Sequence, residues 1–499
     1  MRKPIGKGKP RPDVRPQLMQ ALDLETAGKI DEAEQLYRAV LELDPANFAA
    51  LNRMAVMYSQ RGEHVEALRL IQAAMRANPA AGETAADMGV ILDRLGRSEE
   101  AVASYDRALV LRPNQPRALY NRGNALSKLR HHEKAIASYD RSLALAPENA
   151  EAHNGRGLAL GEVGRWREAI AAFTRAIEID PGHADAHFHR ALDCLLLGEF
   201  DVGWDEYEWR WKTSHAKGER PDFPVPDWNG EPLAGKTIYL YIEQGLGDAI
   251  MFARYAPLLT ARGARVIFCV RPPIKALLTS MPGVAVVVPG EQGPAFQYMC
   301  PLLSLPRIFR TKLDSIPADV PYLHASPDRL EKWQGRVPEG AGLKVGLVWA
   351  GGRGFAGDRA RTIGLKQFSQ LLGVPSIRYV SLHNELREDD AALLAALPEI
   401  IHLGSELEDF ADTAAVISQL DLVISVDTAV AHLAGAMAKP VWILLPSAPD
   451  FRWLVGRDDS PWYPTARLFR QTKLGDWPSV IARVREALAA RAQSGVSGG

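Results

Sequence analysis

The stretch GRWREAIAAFTRAIEIDP (residues 164–181) is one copy of a pattern that fills the first two fifths of the chain. Each copy closes on a proline, and these prolines stand 34 residues apart, at Pro45, Pro79, Pro113, Pro147 and Pro181. Twelve residues before each proline is an alanine, at Ala33, Ala67, Ala101, Ala135 and Ala169. Five residues before the alanine is a glycine in four copies, and Arg130 replaces it in the other. A constant period predicts an array of identical structural units.

The residue types at fixed positions indicate a pair of antiparallel helices in each unit. A small alanine allows the helices to approach closely, a glycine ends the first helix in a left-handed conformation, and a proline cannot continue the second. The period and these residues are typical of the tetratricopeptide repeat. A sixth unit contains Gly198, Gly203 and Tyr207 but has no closing proline. We therefore predict an α-solenoid over residues 13–213, whose aromatic end (203–211) packs on the next domain.

Solenoids of this kind commonly bind an extended peptide on a concave surface lined by the first helices. Asparagines fall on those helices, where an amide can pair with a peptide backbone: Asn52, Asn121, Asn124 and Asn154. These residues are candidate peptide ligands, and the alternative is that they are ordinary solvated positions. His183 and His187 have metal-ligand spacing on a helix, but without a carboxylate or thiolate partner we expect no metal site.

The composition restricts the class of protein. The 499 residues are 47% hydrophobic and 24% charged, with 59 Lys and Arg against 60 Asp and Glu. This balance is that of a globular protein and lacks the basic excess typical of nucleic-acid binding. Three scattered cysteines exclude a disulfide framework, and no apolar run reaches the ~18 residues of a membrane span. We expect a cytoplasmic protein with disordered tails at 1–12 (basic) and 491–499.

The sequence pattern changes after a proline- and glycine-rich stretch at 214–235, which predicts a linker. Short apolar, β-branched runs then alternate with helical segments, which indicates parallel sheets covered on both faces. The predicted strands are 237–243, 265–271, 284–288, 344–350, 378–382, 422–426 and 441–445. The region divides near 336–343 into two α/β halves, 236–338 and 343–490. Such halves suit a ligand that lies against the carboxyl ends of the strands.

Two strand-to-helix turns carry candidate site residues. In the first, EQGLGDA (243–249), glycines including Gly247 allow a ligand to approach the backbone, and Asp248 is a candidate general base. The alternative is that Asp248 only caps the helix. In the second turn, Asp427 and Thr428 open a helix whose N-terminus suits a phosphate, and His432 lies one turn later.

A third candidate is the loop after the strand 344–350, which holds two glycines followed by Arg353, Gly354, Arg359 and Arg361. Glycines with several arginines suggest neutralisation of a diphosphate, and a solvated basic loop is the alternative. No two aspartates are spaced Asp-x-Asp, the usual metal-carrying motif of metal-dependent sugar transferases.

These motifs resemble those of the heptosyltransferase-like glycosyltransferase family 9, which has the GT-B fold of two Rossmann-like halves. The matching pieces are Gly247-Asp248, Arg361 seven residues before Phe368, and Asp427-Thr428 followed by His432. The resemblance implies that Asp248 is the base and that Gly247, Arg361, Asp427, Thr428 and His432 bind a nucleotide-sugar. Ala429 departs from the pattern, since the family has glycine there.

The whole chain is also similar to bacterial proteins that fuse tetratricopeptide repeats to such a domain, with the segments 203–211, 243–248 and 460–464 in common. The order of domains is similar to that of O-linked N-acetylglucosamine transferase. The resemblance implies a metal-independent, inverting glycosyltransferase that needs no cofactor besides its nucleotide-sugar co-substrate. Its acceptor would be a polypeptide selected by the repeats, such as flagellin or another surface protein. The alternatives are a lipopolysaccharide or lipid-linked acceptor, and a scaffold with a non-catalytic α/β unit.

Overall fold

The computed structural model describes residues 13–213, 220–291, 293–337, 339–340, 342–352 and 361–496. By its contacts the chain divides into two compact units, Met1–His183 and Ala184–Gly499. The basic segment 1–12 lies outside the described residues, as do Arg353, Gly354 and Arg359 of the arginine-containing loop.

The first unit is a helical tetratricopeptide-repeat solenoid. Its helices are α1 (Arg15–Thr26), α2 (Ile30–Leu43), α3 (Phe48–Gln60), α4 (His64–Ala77), α5 (Gly82–Arg94), α6 (Ser98–Leu111), α7 (Pro116–Lys128), α8 (His132–Leu145), α9 (Ala150–Glu162) and α10 (Trp166–Ile179). The repeated alanines are fully buried. The Tyr139 ring fills the space that Gly123 leaves on the facing helix. A Cβ on Gly123 would lie only 2.6 Å from this ring.

The first helix of each repeat ends in a residue with left-handed backbone. The glycines Gly28, Gly62, Gly96 and Gly164 have φ between 75° and 86°. Arg130 adopts the same conformation, with φ 60°. The turn geometry is therefore constant along the array, even where a side chain makes it unfavourable.

By this division the sixth helix pair, which the predicted solenoid includes, belongs to the second unit. It consists of α11 (Ala184–Leu196), α12 (Phe200–Tyr207) and a 3₁₀ turn (Glu208–Lys212). The reason is its large aromatic surface. Trp204 packs edge-to-face on Phe252 and Phe451, with ring centroids 6.2 and 5.8 Å apart.

Two parallel sheets form the rest of the second unit. The first has the strands β1 (Thr237–Tyr241), β2 (Arg265–Cys269), β3 (Val284–Val287) and β4 (Tyr298–Pro301), in the order β3-β2-β1-β4. The second has β5 (Leu343–Val348), β6 (Ile377–Ser381), β7 (Ile400–His402), β8 (Leu422–Val426), β9 (Val441–Leu445) and β10 (Ala466–Arg470), in the order β10-β9-β8-β5-β6-β7. Both sheets are parallel throughout, which agrees with an α/β GT-B-like unit.

Helices connect and cover these strands. They are α13 (Leu246–Phe252), α14 (Ala256–Ala261), α15 (Pro272–Leu278), α16 (Leu305–Ile308), α17 (Pro327–Trp333), α18 (Leu365–Phe368), α19 (Glu388–Ala395), α20 (Phe410–Ser418), α21 (Ala429–Ala436) and α22 (Trp477–Val496). In the part of the chain that the structure describes, none of them has the length and apolar character needed to cross a bilayer.

Three strands were missed by the sequence pattern: β4, β7 and β10. All three are edge strands that are short or contain proline or charged residues, so no continuous apolar, β-branched run marks them. β4 ends in a proline, β7 has three residues, and β10 carries an arginine at Arg467 and another at Arg470.

Two predicted segments differ from the structure. Within the proposed linker, Asp227 forms a bridge with Met299 of β4, and Trp228 is buried. This part of the segment therefore extends the edge of the first sheet. At the other end, α22 continues to Val496 through the predicted tail, because the alanine-rich sequence favours helix and Ala492 is buried.

Candidate active site

Loops at the carboxyl ends of the two sheets bring the candidate residues together. Asp248 follows β1, Asp427 and Thr428 follow β8, and the segment 446–453 follows β9 and ends in the 3₁₀ turn Phe451–Trp453. Ligands of open α/β sheets bind at this edge. The cluster lies wholly within the second unit.

Asp248 is both a helix cap and the partner of a buried arginine. Its Oδ2 accepts a hydrogen bond from the backbone N–H of Gly245 at 2.9 Å, which caps α13. Its Oδ1 forms an ion pair with Nη2 of Arg452. Burial raises the pKa of Asp248, while Arg452 opposes the increase. The predicted capping role and the position expected of a base therefore coexist in one carboxylate.

Arg452 is the central cation of the site, and the sequence analysis did not identify it. Its Nη1 donates to Oδ1 of Asp450 at 2.6 Å, and its guanidinium lies 4.2 Å over the Phe451 ring. Burial acts to lower the pKa of Arg452, but Asp248 and Asp450 outweigh burial and raise it. Arg452 therefore stays charged at the junction of the two halves.

Asp427 lies beside this arginine group. Burial, reinforced by the negative charge of Asp450, raises its pKa to about 6, whereas Arg361 and Arg452 act in the opposite direction. Arg361, at the border of the described residues, is therefore close enough to act on Asp427 electrostatically. A carboxyl group with a pKa near neutrality can bind either as an acid or as a carboxylate.

His432 is buried in an aromatic setting. Its ring stacks on Trp453 with centroids 5.0 Å apart, its Nδ1 lies 3.0 Å from the Tyr463 hydroxyl, and its Nε2 lies 3.8 Å from Asp427. Burial lowers the pKa of His432 well below the usual value. The imidazole is therefore neutral at physiological pH.

Gly247 and Thr428 have structural roles that the sequence did not indicate. A Cβ on Gly247 would lie 2.9 Å from Cδ2 of His432, so the glycine allows α13 to approach α21. Thr428 precedes α21 without capping it through its side chain, and its hydroxyl lies 2.9 Å from Ser425 Oγ. Donor contacts from Thr428 would therefore come from the backbone at the helix start.

A second buried polar cluster lies at the end of β1. Glu243 Oε1 accepts from Arg210 Nη2 at 2.9 Å and from the backbone N–H of Leu303 at 3.2 Å. Burial raises the pKa of Glu243 to about 7, against the effect of Arg210. Arg210 also pairs with Glu208 at 2.8 Å, so this network ties the 3₁₀ turn after α12 to the first sheet.

The asparagines of the first unit lie on the first helices of their repeats, as predicted. Asn124 Oδ1 accepts from the Tyr139 hydroxyl at 2.7 Å, and Asn154 is buried. Asn121 is partly exposed, and so is Asn52, although its Oδ1 is buried without a hydrogen-bond partner among the described residues. Peptide binding by these side chains remains a prediction. In the second unit, His187 stacks on Trp209 with ring centroids 3.7 Å apart.

Family models match both parts of the chain. Tetratricopeptide-repeat models match residues 18–82, 91–129 and 124–192. The model of glycosyltransferase family 9 (heptosyltransferase) matches residues 386–453. The chain therefore matches tetratricopeptide-repeat models in its first part and the glycosyltransferase family 9 model in its second part. The family match includes Asp427, Thr428, His432 and Arg452, while Asp248 and Arg361 lie outside it.

A curated relative is similar over part of the chain. Protein FlbA of Caulobacter vibrioides (strain ATCC 19089 / CIP 103742 / CB 15) is 29% identical over 329 residues, which is 60% of this chain and 54% of FlbA. The chain thus spans about half the length of that relative.

Solved structures resemble part of the chain. YrrB, described as a TPR protein with an unusual peptide-binding site, has 24% identity and a TM-score of 0.33, covering 35% of this chain and 90% of its own. The type IV pilus biogenesis factor PilW has 22% identity and a TM-score of 0.37, and the match covers 41% of this chain and 95% of PilW.

The residues missed at the site share one property. Arg452, Asp450 and Trp453 lie in a short turn without glycine spacing or strand-to-helix pattern, so no local motif marks them. The available signal was a charged residue between two aromatics, Phe451-Arg452-Trp453, shortly after a continuous apolar strand. Among the described residues, no group of three or more His, Cys, Asp or Glu side chains has a metal-binding arrangement.

Proposed function

We propose that this protein is a glycosyltransferase of GT-B fold that moves a sugar from a nucleotide-sugar donor to a hydroxyl group of a polypeptide. The observation that carries the proposal is the position of Asp248. Its buried carboxylate, at the end of the first sheet, pairs with Arg452 at the end of the second sheet. A candidate base and candidate phosphate ligands therefore meet at one point.

In the proposed reaction, Asp248 takes the proton from the acceptor hydroxyl as its oxygen attacks the anomeric carbon. The bond to the nucleotide diphosphate breaks on the opposite side, so the configuration at that carbon inverts. Arg361 and the backbone N–H groups at the start of α21 stabilise the charge on the departing diphosphate. These groups would supply the charge neutralisation that a divalent cation provides in metal-dependent transferases.

We assign acceptor selection to the repeats. Arrays of this kind present extended binding surfaces, and the repeats of this chain precede a transferase domain, an order that suits the capture of a polypeptide before sugar transfer. A polypeptide acceptor such as flagellin or another surface protein fits this arrangement.

The test replaces Asp248 by asparagine, which keeps the size of the side chain and an oxygen that can cap α13. We expect Asp248→Asn to lower the rate of transfer by about 10²–10⁴-fold, measured by mass spectrometry of glycoproteins from cells that lack the native chain. Asp476→Asn is the matched control. Asp476 accepts a hydrogen bond from the backbone N–H of Ser479 at the start of α22, outside the site. Transfer at the wild-type rate by Asp248→Asn would exclude Asp248 as the base. Unchanged glycoproteins in cells without the chain would favour the scaffold.

A further inference from the structure

One N–H group at the centre of the site has no hydrogen-bond partner in the part of the chain that the structure describes. Arg452 is buried, with 10% of its side chain exposed. Two of its nitrogens bind Asp248 and Asp450, but Nε has no hydrogen-bond partner among the described residues. A buried charged donor without an acceptor is unfavourable. The guanidinium thus retains capacity for a further anionic oxygen, and its planar fork suits phosphate.

The two carboxylates that hold Arg452 differ in how firmly they are placed. Asp450 lies in the same turn and also accepts the backbone N–H of Arg452 at 3.0 Å. Asp248 lies on α13 in the other half of the unit, and its second oxygen is already held by Gly245. A small change between the halves therefore separates Arg452 from Asp248 without disturbing its pairing with Asp450.

The charges of the site also favour an exchange of ion-pair partners when an anionic ligand binds. Asp248, Asp427 and Asp450 face the cations Arg452 and Arg361. Three carboxylates against two guanidinium groups leave no excess of positive charge before any ligand binds. A nucleoside diphosphate adds at least two negative charges, so it competes with the carboxylates for the arginines. The carboxylate that can leave Arg452 most readily is Asp248.

We propose that Arg452 changes partners during the reaction: it pairs with Asp248 before the donor binds, and the donor diphosphate then takes the place of Asp248. The exchange frees the carboxylate of Asp248 to accept a proton only when a donor is present. Arg452 is thereby a donor-binding residue that also positions the base. The inference rests on the proposed function, because it takes the diphosphate as ligand and Asp248 as base.

The test measures nucleoside diphosphate binding to the full chain by calorimetry, with the uridine, guanosine, adenosine and cytidine diphosphates as probes. Competition predicts that Asp248→Asn binds the preferred probe about fivefold to tenfold more tightly than wild type, within the range of ordinary coupling between sites. Arg452→Gln should bind it at least about tenfold more weakly, as expected for a lost charge-assisted hydrogen bond. In the double variant, the gain from Asp248→Asn should disappear.

The double variant distinguishes exchange from a general effect of charge. A gain that persists unchanged in the Arg452→Gln background comes from the field of the carboxylate alone and overturns the proposal. Arg452→Lys replaces Arg452→Gln in the cycle if the latter does not fold, and the gain should then shrink. Equal or weaker binding by Asp248→Asn also overturns the exchange, while the proposed function stands. If no probe binds wild type, both fail.

Discussion

The two units of this protein arrange their charged groups in different ways. In the repeats, ion pairs join residues three apart, such as Arg97 and Glu100, or residues of adjacent helices, such as Arg156 and Asp140, and they are largely exposed. In the second unit, several charged groups are buried, and some of their partners are distant in sequence. Arg254 donates to the carbonyl of Trp462, 208 residues away. Local partners support a repeating architecture, whereas distant partners fix the geometry of a single site.

This difference predicts a large contrast between two aspartates. Asp412 is fully buried and accepts hydrogen bonds from Arg329, Lys332 and Trp333, each at 2.8 Å. Removing it leaves the buried Trp333 Nε1–H without its acceptor, while Arg329 and Lys332 keep Asp409 and Glu408 as partners. Asp412→Ala should therefore lower the free energy of unfolding by about 2–3 kcal/mol. Asp140→Ala removes an exposed pair in the repeats and should cost at most about 1 kcal/mol.

Calorimetry of the full chain checks this contrast, because each variant should shift the transition of its own unit. Both aspartates are replaced by alanine, so that neither variant adds bulk. Equal shifts for the two aspartates would show that burial does not set the importance of these pairs.

The same contrast explains what the sequence could predict. A fixed period repeats the same local contacts. The positions equivalent to Pro147 and Gly164 therefore predict the turns of each repeat. The central strands were predicted because burial on both faces requires continuous apolar runs. Asp248 and Asp427 became candidates because a strand-to-helix turn marks them locally. The partner of Asp248 did not, since the pairing with Arg452 depends on tertiary structure alone.

A second prediction uses a buried histidine of the second unit. His383 Nε2 accepts the backbone N–H of Trp349 at 2.8 Å, and burial lowers the pKa of His383 to about 3, with a further contribution from His402. The folded pKa is below the unfolded value of ~6.5. The unfolded chain therefore binds the proton first, and the stability contributed above pH ~6.5 falls as the pH falls towards 3.

The expected loss from this group is about 2 kcal/mol between pH 7 and pH 5, from about 1.4 kcal/mol per pH unit below ~6.5. His383→Gln keeps an acceptor but does not titrate. The difference in unfolding free energy between wild type and His383→Gln, measured by urea denaturation, should therefore decrease on acidification. A difference that is constant with pH would contradict the assignment.

The smallest expected effect lies in the repeats, at the one helix-ending position of the pattern that is not glycine. Arg130 has φ 60° and is exposed, whereas its counterpart Gly96 has φ 75°. Left-handed backbone is unfavourable by about 1–2 kcal/mol for a residue with a Cβ. Glycine offsets part of this gain, because the higher entropy of its unfolded chain costs about 0.5–1 kcal/mol of stability. Arg130→Gly should therefore stabilise the first unit by about 0.5–1 kcal/mol.

The matched variant Gly96→Ala should destabilise it by a similar amount, because no atom lies within 4 Å of the new Cβ and only the backbone conformation opposes it. Urea denaturation of the full chain, followed through the transition of the first unit, measures both. If both variants destabilise the unit, the Arg130 side chain makes a favourable contribution that outweighs its backbone strain, and the repeats are less uniform than their period indicates.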